Sequence, residues 1–396
     1  MRVTLVHASY YYSGSEKSVE LLARWLLDNG HEVKIVSAGN YKAPTDLKDI
    51  EINVLPHKST ALQLHALLPL ARFMKHNEDS TDIYHIYNVF PMAAAGLYKL
   101  LGGKRPVIAT LNNYAGFCPT ANAIYDECNR LSCKIRCLRN STDNKPLILP
   151  YAMIYSLLTR LSLKLDRYIA ISNAVKRLYV KYGYPEDMIV VIPNFVPISH
   201  ISECHNYTDN KQFKIVYVGT LSYHKGTDIL IKSIGILKQK YNINNVYLTL
   251  VGDSNDKNYH LQLIHLIKDM DIARNVIFRG YVNHGELSEI YSAHDVLVHP
   301  SRWHEPFGRT ILEALMYGLP CIVSDVGAPA EIIEDAGMVF RNNDPEDLAD
   351  KIYKLINNKT LHVNMSINAL QIINKYNINI IGQRIVKLYE EIVKND

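Results

Sequence analysis

The chain of 396 residues has no uninterrupted run of the ~20 apolar residues that a helix needs to cross a bilayer. Its longest candidate, residues 146–158, is interrupted by two prolines. No apolar segment with a cleavage site follows Arg2, so the start of the chain does not have the pattern of a signal peptide. We therefore expect a cytoplasmic protein that meets a membrane only at its inner face.

A strong excess of charge of either sign is also missing. The chain has 43 Lys and Arg residues against 39 Asp and Glu residues, a formal net charge of +4. This does not indicate a nucleic-acid partner, but it is compatible with an anionic ligand or an anionic membrane surface. The composition, with 48% apolar and 21% charged residues, is typical of a globular protein, and the length fits two domains of about 150–200 residues each.

Two common phosphate-binding patterns are absent. The glycine-containing turn at residues 219–226 does not match G-x-x-x-x-G-K-[ST], which excludes a P-loop there. The turn after the first predicted strand, residues 12–18, has no G-x-G-x-x-G, which weakens a dehydrogenase interpretation. Any phosphate site must therefore be built in a way that follows neither of these two patterns.

Cysteine is scarce except in one region. Disulfides are unusual in a cytoplasmic chain, whereas four thiols could bind a tetrahedral zinc ion. The nine, four and three residues between the clustered cysteines do not form C-x-x-C pairs, however. Free structural thiols, a structural metal site and disulfides are the three alternatives. The four clustered cysteines are Cys118, Cys128, Cys133 and Cys137.

Apolar strand patterns alternate with helical patterns twice along the chain. This rhythm predicts an α/β fold with two doubly wound, Rossmann-like domains. The family resemblance given below implies that they face each other across a cleft. The pattern changes near residue 200, so we predict domains at 1–197 and 211–376 with a linker at 198–210. The amphipathic end of the chain, at about 377–396, is predicted to be a helix that can pack back onto the first domain.

The stretch "SRWHEPFGRTILEALMYGLP" follows a predicted strand and carries two acids, Glu305 and Glu313. A helix starting near Gly308 would offer free backbone N–H groups to an anion at the positive end of its dipole. A carboxylate on each side of such a cradle suits a nucleotide-sugar, which has a diphosphate between two polyhydroxyl rings. Taken alone, each glutamate is more typical of a solvated surface acid, and it is the "PFG" between them that favours the cradle. The cradle residues are Phe307, Gly308, Arg309 and Thr310.

Two further turns follow predicted strands of the second domain. In "GTLSYHKG", Gly219 and Thr220 open the turn and Lys225 places a cation at the start of the next helix. In "RGY", residues Arg279, Gly280 and Tyr281 could seat a nucleotide base. Ligands bind beyond the carboxyl ends of strands in such sheets, so these turns are expected to act together.

These motifs carry a resemblance. The segments "VGTLSYHKG", "VIFRGYV" and "HPSRWHEPFGRTILEALMYGLPCIVSDVGAPAEII" resemble the donor-binding half of the retaining family 4 glycosyltransferases of the glycosyltransferase B (GT-B) fold. The first domain is similar to theirs more loosely. The resemblance implies that Glu305 contacts the donor sugar and Glu313 the ribose, that residues 307–310 hold sugar and diphosphate, and that Lys225 neutralises the leaving phosphate.

In the first domain, the resemblance implies that Gly14 approaches the phosphates and that His85 faces the reacting sugar. His85 ends a predicted strand, so it is equally well interpreted as a satisfied core histidine. Asn112 stands where the family often has histidine, which puts acid–base catalysis at that position in doubt. Thr220 stands where the family commonly has arginine, and Arg302 and Arg309 are the candidates to replace the missing charge in part.

The predicted function is transfer of a sugar from a nucleotide diphosphate sugar to a glycan, lipid-linked or other hydroxyl acceptor, with retention of configuration. The first domain is expected to hold the acceptor, and neither a cofactor nor a catalytic metal is expected. A degenerate sugar-nucleotide-binding protein and a sugar-nucleotide epimerase are the alternatives. Residues 151–168 mix apolar residues with Arg160 and Lys164, as an interfacial membrane helix does, although a helix buried in the first domain fits as well.

Overall fold

The computed structural model describes residues 1–8, 14–38, 50–55, 64–121, 123, 128, 130–141, 145–197 and 212–394. The described part of the chain divides into two compact units. The first comprises Met1–Pro197 together with Ile378–Asp396, and the second comprises Ile198–Asn377. The predicted linker at 198–210 lies outside the described residues.

Within the described residues, the first unit forms a parallel sheet of seven strands in the order β3-β2-β1-β4-β5-β6-β7. Strands β1, β4 and β5 are buried along almost their whole length, as expected for a parallel sheet covered on both faces. The strands are β1 Arg2–His7, β2 Glu32–Ala38, β3 Glu51–Leu55, β4 Ile83–Tyr87, β5 Val107–Leu111, β6 Arg167–Ala170 and β7 Ile189–Val191. The helices are α1 Gly14–Asp28, α2 Leu64–His76, α3 Val89–Leu100, α4 Leu131–Ser141, α5 Ile148–Ser162 and α6 Asn173–Lys181.

The second unit forms a parallel sheet whose described strands lie in the order β10-β9-β8-β11-β12-β13. The order reverses between β8 and β11, and such a reversal opens a crevice at the carboxyl edge of the sheet. The strands are β8 Phe213–Val218, β9 Val246–Val251, β10 Val276–Gly280, β11 Val296–His299, β12 Cys321–Ser324 and β13 Gly337–Phe340. The helices are α7 Thr227–Tyr241, α8 Lys257–Asp269, α9 Leu287–Ser292, α10 Arg309–Met316, α11 Pro329–Ile333, α12 Pro345–Ile356 and α13 Lys359–Ile373.

The last helix, α14 (Ile378–Lys394), returns to the first unit and packs against α1. Trp25 Nε1 donates a hydrogen bond to Asn379 Oδ1 at 2.8 Å. Gly382 permits the close packing, because a Cβ there would lie 2.5 Å from the Trp25 ring. The apolar face of α14 thereby completes the core of the first unit.

A search of the described helices for a membrane-spanning segment found no helix with the necessary length and apolar character.

Candidate active site

The candidate site lies at the carboxyl edge of the second sheet, beside the reversal between β8 and β11. The loop after β8, residues 219–226, contains Lys225, and the loop after β11 contains Glu305. Arg302 N donates a hydrogen bond to the His224 carbonyl at 2.9 Å, so the backbones of the two loops are joined directly. Residues that are far apart in the sequence thus form one surface.

Gly226 allows the two loops to approach this closely. Its φ is +72°, and a Cβ there would lie 1.9 Å from the carbonyl oxygen of Pro300. A side chain at this position would force the loops apart. Lys225 is the last residue of a short 3-10 helix, Tyr223–Lys225, and α7 begins directly after Gly226. The backbone at Gly226 therefore holds Lys225 beside the segment that carries Glu305.

Lys225 and Glu305 form a largely buried ion pair. Lys225 Nζ lies 2.5 Å from Glu305 Oε2, and Trp303 Nε1 donates a hydrogen bond to the same oxygen at 3.0 Å. His299 Nε2 lies 3.5 Å from it. The Lys225 ammonium also lies 5.1 Å from the centre of the Trp303 ring, which adds a cation–π interaction. These contacts all involve Oε2, and within the described residues Oε1 has no hydrogen-bond partner.

The pKa of Glu305 shows which contact dominates. Burial would by itself raise this pKa, because it penalises the charged carboxylate. The Lys225 ammonium and the neighbouring His299 outweigh burial and lower the pKa to about 2. Glu305 is therefore an anion at neutral pH and a weak base. Such a carboxylate is suited to accept hydrogen bonds from hydroxyl groups rather than to remove protons.

The backbone of Glu305 is positioned by the loop after β12. Glu305 and Gly327 form a parallel β-bridge, and Ala328 N donates to the Glu305 carbonyl at 2.9 Å. Gly327 has a φ of +82°, and a Cβ there would lie 2.5 Å from both the N and the O atoms of Glu305. A side chain at residue 327 would displace the segment that carries the carboxylate.

Helix α10 begins immediately after this segment. Gly308 is its N-cap, and Arg309 and Thr310 open its first turn. A Cβ at Gly308 would lie 3.9 Å from Glu305 Cγ, so the helix start adjoins the carboxylate. Phe307 is buried, with its ring centre 6.0 Å from that of Tyr376. The first N–H groups of a helix have no intrahelical acceptor, and the structure places this positive helix end beside the Lys225–Glu305 pair.

Glu313 lies on α10 and is partly buried. Tyr291 of α9 donates its hydroxyl to Glu313 Oε2 at 3.0 Å, and the Tyr291 ring stacks on Tyr317 with 5.8 Å between the ring centres. Burial, and after it Glu313, raise the pKa of Tyr291 well above its ordinary value, so the hydroxyl stays protonated. Glu313 is thus an oriented carboxylate and not a solvated surface acid.

The remaining predicted residues of the second unit lie along the ends of β8, β9 and β10. Gly219 N donates to the Val251 carbonyl at 2.9 Å, and Gly252 N donates to the Gly280 carbonyl at 2.8 Å. Main chain without Cβ atoms therefore forms much of this edge. Three predicted residues have exposed side chains here: Thr220, Arg279 and Tyr281.

Arg302 is engaged elsewhere. Its guanidinium makes two hydrogen bonds to the Asp228 carboxylate, at 2.6 and 2.7 Å, and stacks 4.2 Å from the centre of the Tyr223 ring. The geometry therefore does not favour Arg302 as the charge missing at Thr220, because a bidentate ion pair at the start of α7 holds its guanidinium. Arg309 at the start of α10 is the other arginine suggested for that role.

His85 lies inside the first unit. It is fully buried, with Nδ1 2.6 Å from the Tyr389 hydroxyl and Nε2 2.6 Å from Thr110 Oγ1. Burial lowers its pKa to about 3, so the ring is neutral. These surroundings are those of a satisfied core histidine, the second of the two interpretations of the sequence. Gly14 begins α1, and residues 9–13 before it lie outside the described residues.

Asn112 follows directly after β5. Its Nδ2 atom is buried and has no hydrogen-bond partner within the described residues. A side-chain amide does not gain or lose a proton near neutral pH, so Asn112 can only donate or accept hydrogen bonds.

The four clustered cysteines of the first unit are buried, and none of them is in a disulfide with another described residue. Hydrogen bonding, first from Cys128, lowers the pKa of Cys118 to about 5, whereas burial raises the pKa of Cys137 to about 12. Among the described residues, no group of three or more His, Cys, Asp or Glu side chains is arranged to hold a metal ion. The disulfide alternative is wrong for these cysteines, and the structure lends no support to zinc.

Sequence reasoning missed the residues that position Glu305 and Glu313. Trp303 had a usable signal, since it is one of only two tryptophans in the chain and lies two residues before Glu305. Gly327 and Tyr291 had none, because each meets its partner only through the packing of separate loops or helices.

The fold has counterparts among solved structures. The Anabaena protein HepE, solved in complex with UDP, superimposes with a TM-score of 0.76 over 99% of this chain and 100% of its own, at 19% sequence identity. At this identity the likeness concerns the fold alone.

Two family models match the chain one after the other. Residues 12–200 match the model described as Glycosyltransferase Family 4, and residues 205–372 match the model described as Glycosyl transferases group 1. The chain is a glycosyltransferase of the GT-B fold. The second match contains Lys225, Glu305 and Glu313, so the candidate site lies in the part that defines group 1 transferases.

Bacterial proteins are among the relatives of this glycosyltransferase. It is 24% identical over 372 residues to a 42.6 kDa protein of the cps region of Klebsiella pneumoniae, an alignment that covers 88% of this chain and 91% of the relative. It is 29% identical over 245 residues to the UDP-Gal:alpha-D-GlcNAc-diphosphoundecaprenol alpha-1,3-galactosyltransferase of Escherichia coli, covering 58% of this chain and 61% of the relative. These relatives fit a role in polysaccharide biosynthesis.

Proposed function

We propose that this glycosyltransferase moves a sugar from a nucleotide diphosphate sugar to a hydroxyl group of a lipid-linked or other glycan acceptor, with retention of the anomeric configuration. The observation that carries the proposal is the Lys225–Glu305 pair beside the start of α10. A cation, an ionised carboxylate and a positive helix end then lie together at the switch point of a parallel sheet, where such folds bind ligands.

The donor diphosphate is held by Lys225 and by the first N–H groups of α10. An ammonium group has three N–H donors, and Glu305 uses one of them. The other two are available to a phosphate, so the ion pair does not need to break when the donor binds. Because these groups provide positive potential for the leaving diphosphate, we expect no requirement for a divalent metal.

The donor sugar meets Glu305. Its Oε2 is committed to Lys225 and Trp303, while Oε1 has no partner within the described residues and can accept hydrogen bonds from sugar hydroxyl groups. Glu313 lies about one and a half turns after the start of α10, and Tyr291 donates a hydrogen bond to one of its oxygens. Its carboxylate accepts hydrogen bonds from the ribose hydroxyls.

We infer retention because neither Glu305 nor His85 is suited to act as the base that inversion requires. Inversion needs a base on the face opposite the leaving group. Glu305, with a pKa of about 2, is too weak a base, and His85 is enclosed in the core of the first unit. The departing diphosphate oxygen instead accepts the proton of the acceptor hydroxyl, while the anomeric carbon exchanges its bond to that oxygen for a bond to the acceptor. Attack on the vacated face retains the configuration.

The name of the E. coli relative specifies a donor with UDP and an acceptor linked to diphosphoundecaprenol, and the Anabaena structure holds UDP. These names support UDP-sugars as donors and a membrane-borne acceptor, which would place the enzyme in the cytoplasm at the inner face of the membrane.

The decisive experiment incubates the purified chain with UDP-hexoses in the presence and absence of a lipid-linked sugar diphosphate, without added Mg²⁺. Acceptor-dependent release of UDP and an α-anomeric proton in the first NMR spectrum of the product are expected. A β-linked product would overturn retention. An epimerised sugar without transfer would indicate an epimerase, and nucleotide binding without turnover would indicate a degenerate binding protein.

A further inference from the structure

Helices α4 and α5 of the first unit lie in a segment with strong local positive charge. From residue 130 to residue 164 the sequence contains seven basic residues and a single acidic residue, Asp143, whereas the whole chain is nearly balanced. A surface with this bias attracts an anionic partner. The basic residues are Arg130, Lys134, Arg136, Arg139, Lys145, Arg160 and Lys164.

A groove of about 460 Å³ is formed by this helix pair, a size that suits a small ligand or a lipid headgroup. It combines two cations with apolar side chains. Its lining includes Leu131, Lys134, Met153, Leu157, Arg160 and Tyr182.

Lys134 is 3% exposed. Its ammonium donates to Ser156 Oγ at 3.2 Å and lies 5.8 Å from the centre of the Tyr155 ring. Within the described residues, neither Lys134 nor Arg160 takes part in an ion pair. Burial penalises the Lys134 ammonium and the Arg160 guanidinium repels it, so both lower the pKa of Lys134, and Cys133 and Cys118 oppose them only in part. An anion in the groove would relieve both costs.

Beside the groove, one face of α5 is apolar and exposed. Leu149, Met153 and Leu157 recur every four residues on one face of α5, and they are 51%, 59% and 56% exposed. The opposite face of α5 is buried in the unit, where Gly96 of α3 leaves room for the Leu161 carbonyl. The buried-helix alternative therefore describes one face of α5 only. Exposed leucine and methionine beside unpaired cations is the pattern of an interfacial helix.

We propose that the α4–α5 face binds the surface of an anionic lipid bilayer, with a lipid phosphate in the groove at Lys134 and Arg160. Leu149, Met153 and Leu157 enter the headgroup region. Charge complementarity favours this occupant, because the segment has one acid to set against seven basic residues. The inference rests on the proposed function only in that a bilayer is where a lipid-linked acceptor is found.

Co-sedimentation of the full chain with lipid vesicles tests the proposal. Vesicles of phosphatidylcholine are compared with vesicles in which one-third of the lipid is phosphatidylglycerol. We expect binding to the anionic vesicles only, weakened by salt. Arg160→Gln should lower the affinity about fivefold, the effect of one basic residue near such a surface. Replacing Leu149, Met153 and Leu157 together by serine should lower it at least about tenfold.

The control variants are Lys268→Gln and Leu261→Ser, which change exposed side chains on α8 of the second unit. Both variants should bind vesicles as the unchanged chain does. Arg160→Lys should restore most of the affinity that Arg160→Gln loses. All the substituted side chains are exposed, and thermal unfolding checks that each variant is folded.

Three outcomes would overturn the proposal: no binding by the unchanged chain at low salt, equal binding to neutral vesicles, or losses in the controls as large as those on α5. Displacement by inorganic phosphate at constant ionic strength would assign the groove to a free anion instead. Calorimetric binding of UDP by the unchanged chain tests the proposed function separately. Nucleotide binding without vesicle binding overturns this inference alone, and the reverse result overturns only the proposed function.

Discussion

Lys225 and Glu305, 80 positions apart in the sequence, lie with 2.5 Å between Nζ and Oε2 in the second unit. The pair is made by two loops that leave neighbouring strands, β8 and β11, at the carboxyl edge of the sheet. The carboxylate is ionised and the ammonium keeps two N–H donors for a ligand. The pair can therefore bind a substrate that carries both hydroxyl groups and negative charge.

Replacing Glu305 by glutamine should separate catalysis from nucleotide binding. The amide keeps the shape but loses the charge that faces the donor sugar, so turnover should fall by about 10²–10³, the effect of removing one preorganised polar group. UDP affinity should change little. Donor consumption and calorimetry measure the two quantities, with Glu289→Gln on the exposed side of α9 as the control. Unchanged turnover would remove Glu305 from the reaction centre.

Replacing Lys225 by alanine should act mainly on the nucleotide diphosphate. A hydrogen bond to a charged group contributes about 1.5–3 kcal/mol, so UDP should bind about tenfold or more weakly. Turnover should fall as well, because Glu305 loses its counter-ion. Lys268→Ala on α8 removes an exposed lysine away from the site and should leave affinity as it was. Equal UDP affinity in calorimetry for Lys225→Ala would contradict a phosphate role for the loop at 219–226.

Thr220→Arg should be tolerated or should tighten UDP binding. The Thr220 side chain is exposed, and the Tyr217 hydroxyl holds its carbonyl at 2.8 Å, so the backbone can keep its course. The new guanidinium would add a positive charge beside the proposed diphosphate position. Calorimetry at two salt concentrations should show an affinity at least equal to that of the unchanged chain and a steeper dependence on salt. Weaker binding would indicate that this edge of the sheet does not face the phosphates.

Gly327→Ala should lower both stability and turnover, although residue 327 has no functional group. The positive φ costs about 1–3 kcal/mol for a residue with a side chain, and the Cβ would collide with the Glu305 backbone. Gly285→Ala is the matched control, because a Cβ there meets nothing within 4 Å. Urea unfolding and donor consumption measure the effects. If both glycine variants behave alike, the bridge between Gly327 and Glu305 does not position the carboxylate.

Acid should weaken the fold through Glu305. Its pKa falls from 4.5 to about 2 in the folded chain, so the folded state binds this proton less tightly than the unfolded state. The stabilisation is complete above about pH 4.5 and is lost as the pH falls toward 2. At about 1.4 kcal/mol per pKa unit, it amounts to about 3 kcal/mol. The difference in unfolding free energy between the unchanged chain and Glu305→Gln should shrink with acidification, and a constant difference would contradict the assignment.

The general architecture could be predicted from the sequence, because it depends on local patterns. Apolar strands alternating with amphipathic helices are enough to indicate parallel sheets, and β1, β4 and β5 are buried as such runs require. The start of α10 could also be predicted from local sequence, since Gly308 directly precedes residues with helical spacing and glycine is accepted at the N-cap. Lys225 and Glu305 could be predicted as candidate residues for a related reason. Each follows a strand of one sheet, and the carboxyl ends of parallel strands share an edge.

Only the tertiary structure decided which of these side chains meet. The sequence left His85 open between a core and a catalytic position, and packing beneath α14 encloses it with Tyr389 and Thr110. It left Arg302 free to serve a phosphate, whereas Asp228 of α7 holds it. Contacts between residues dozens to hundreds of positions apart depend on how loops and helices settle against one another. Such long-range contacts leave no periodic pattern in the sequence, whereas the hydrophobic patterns that determine the sheets repeat within a few residues.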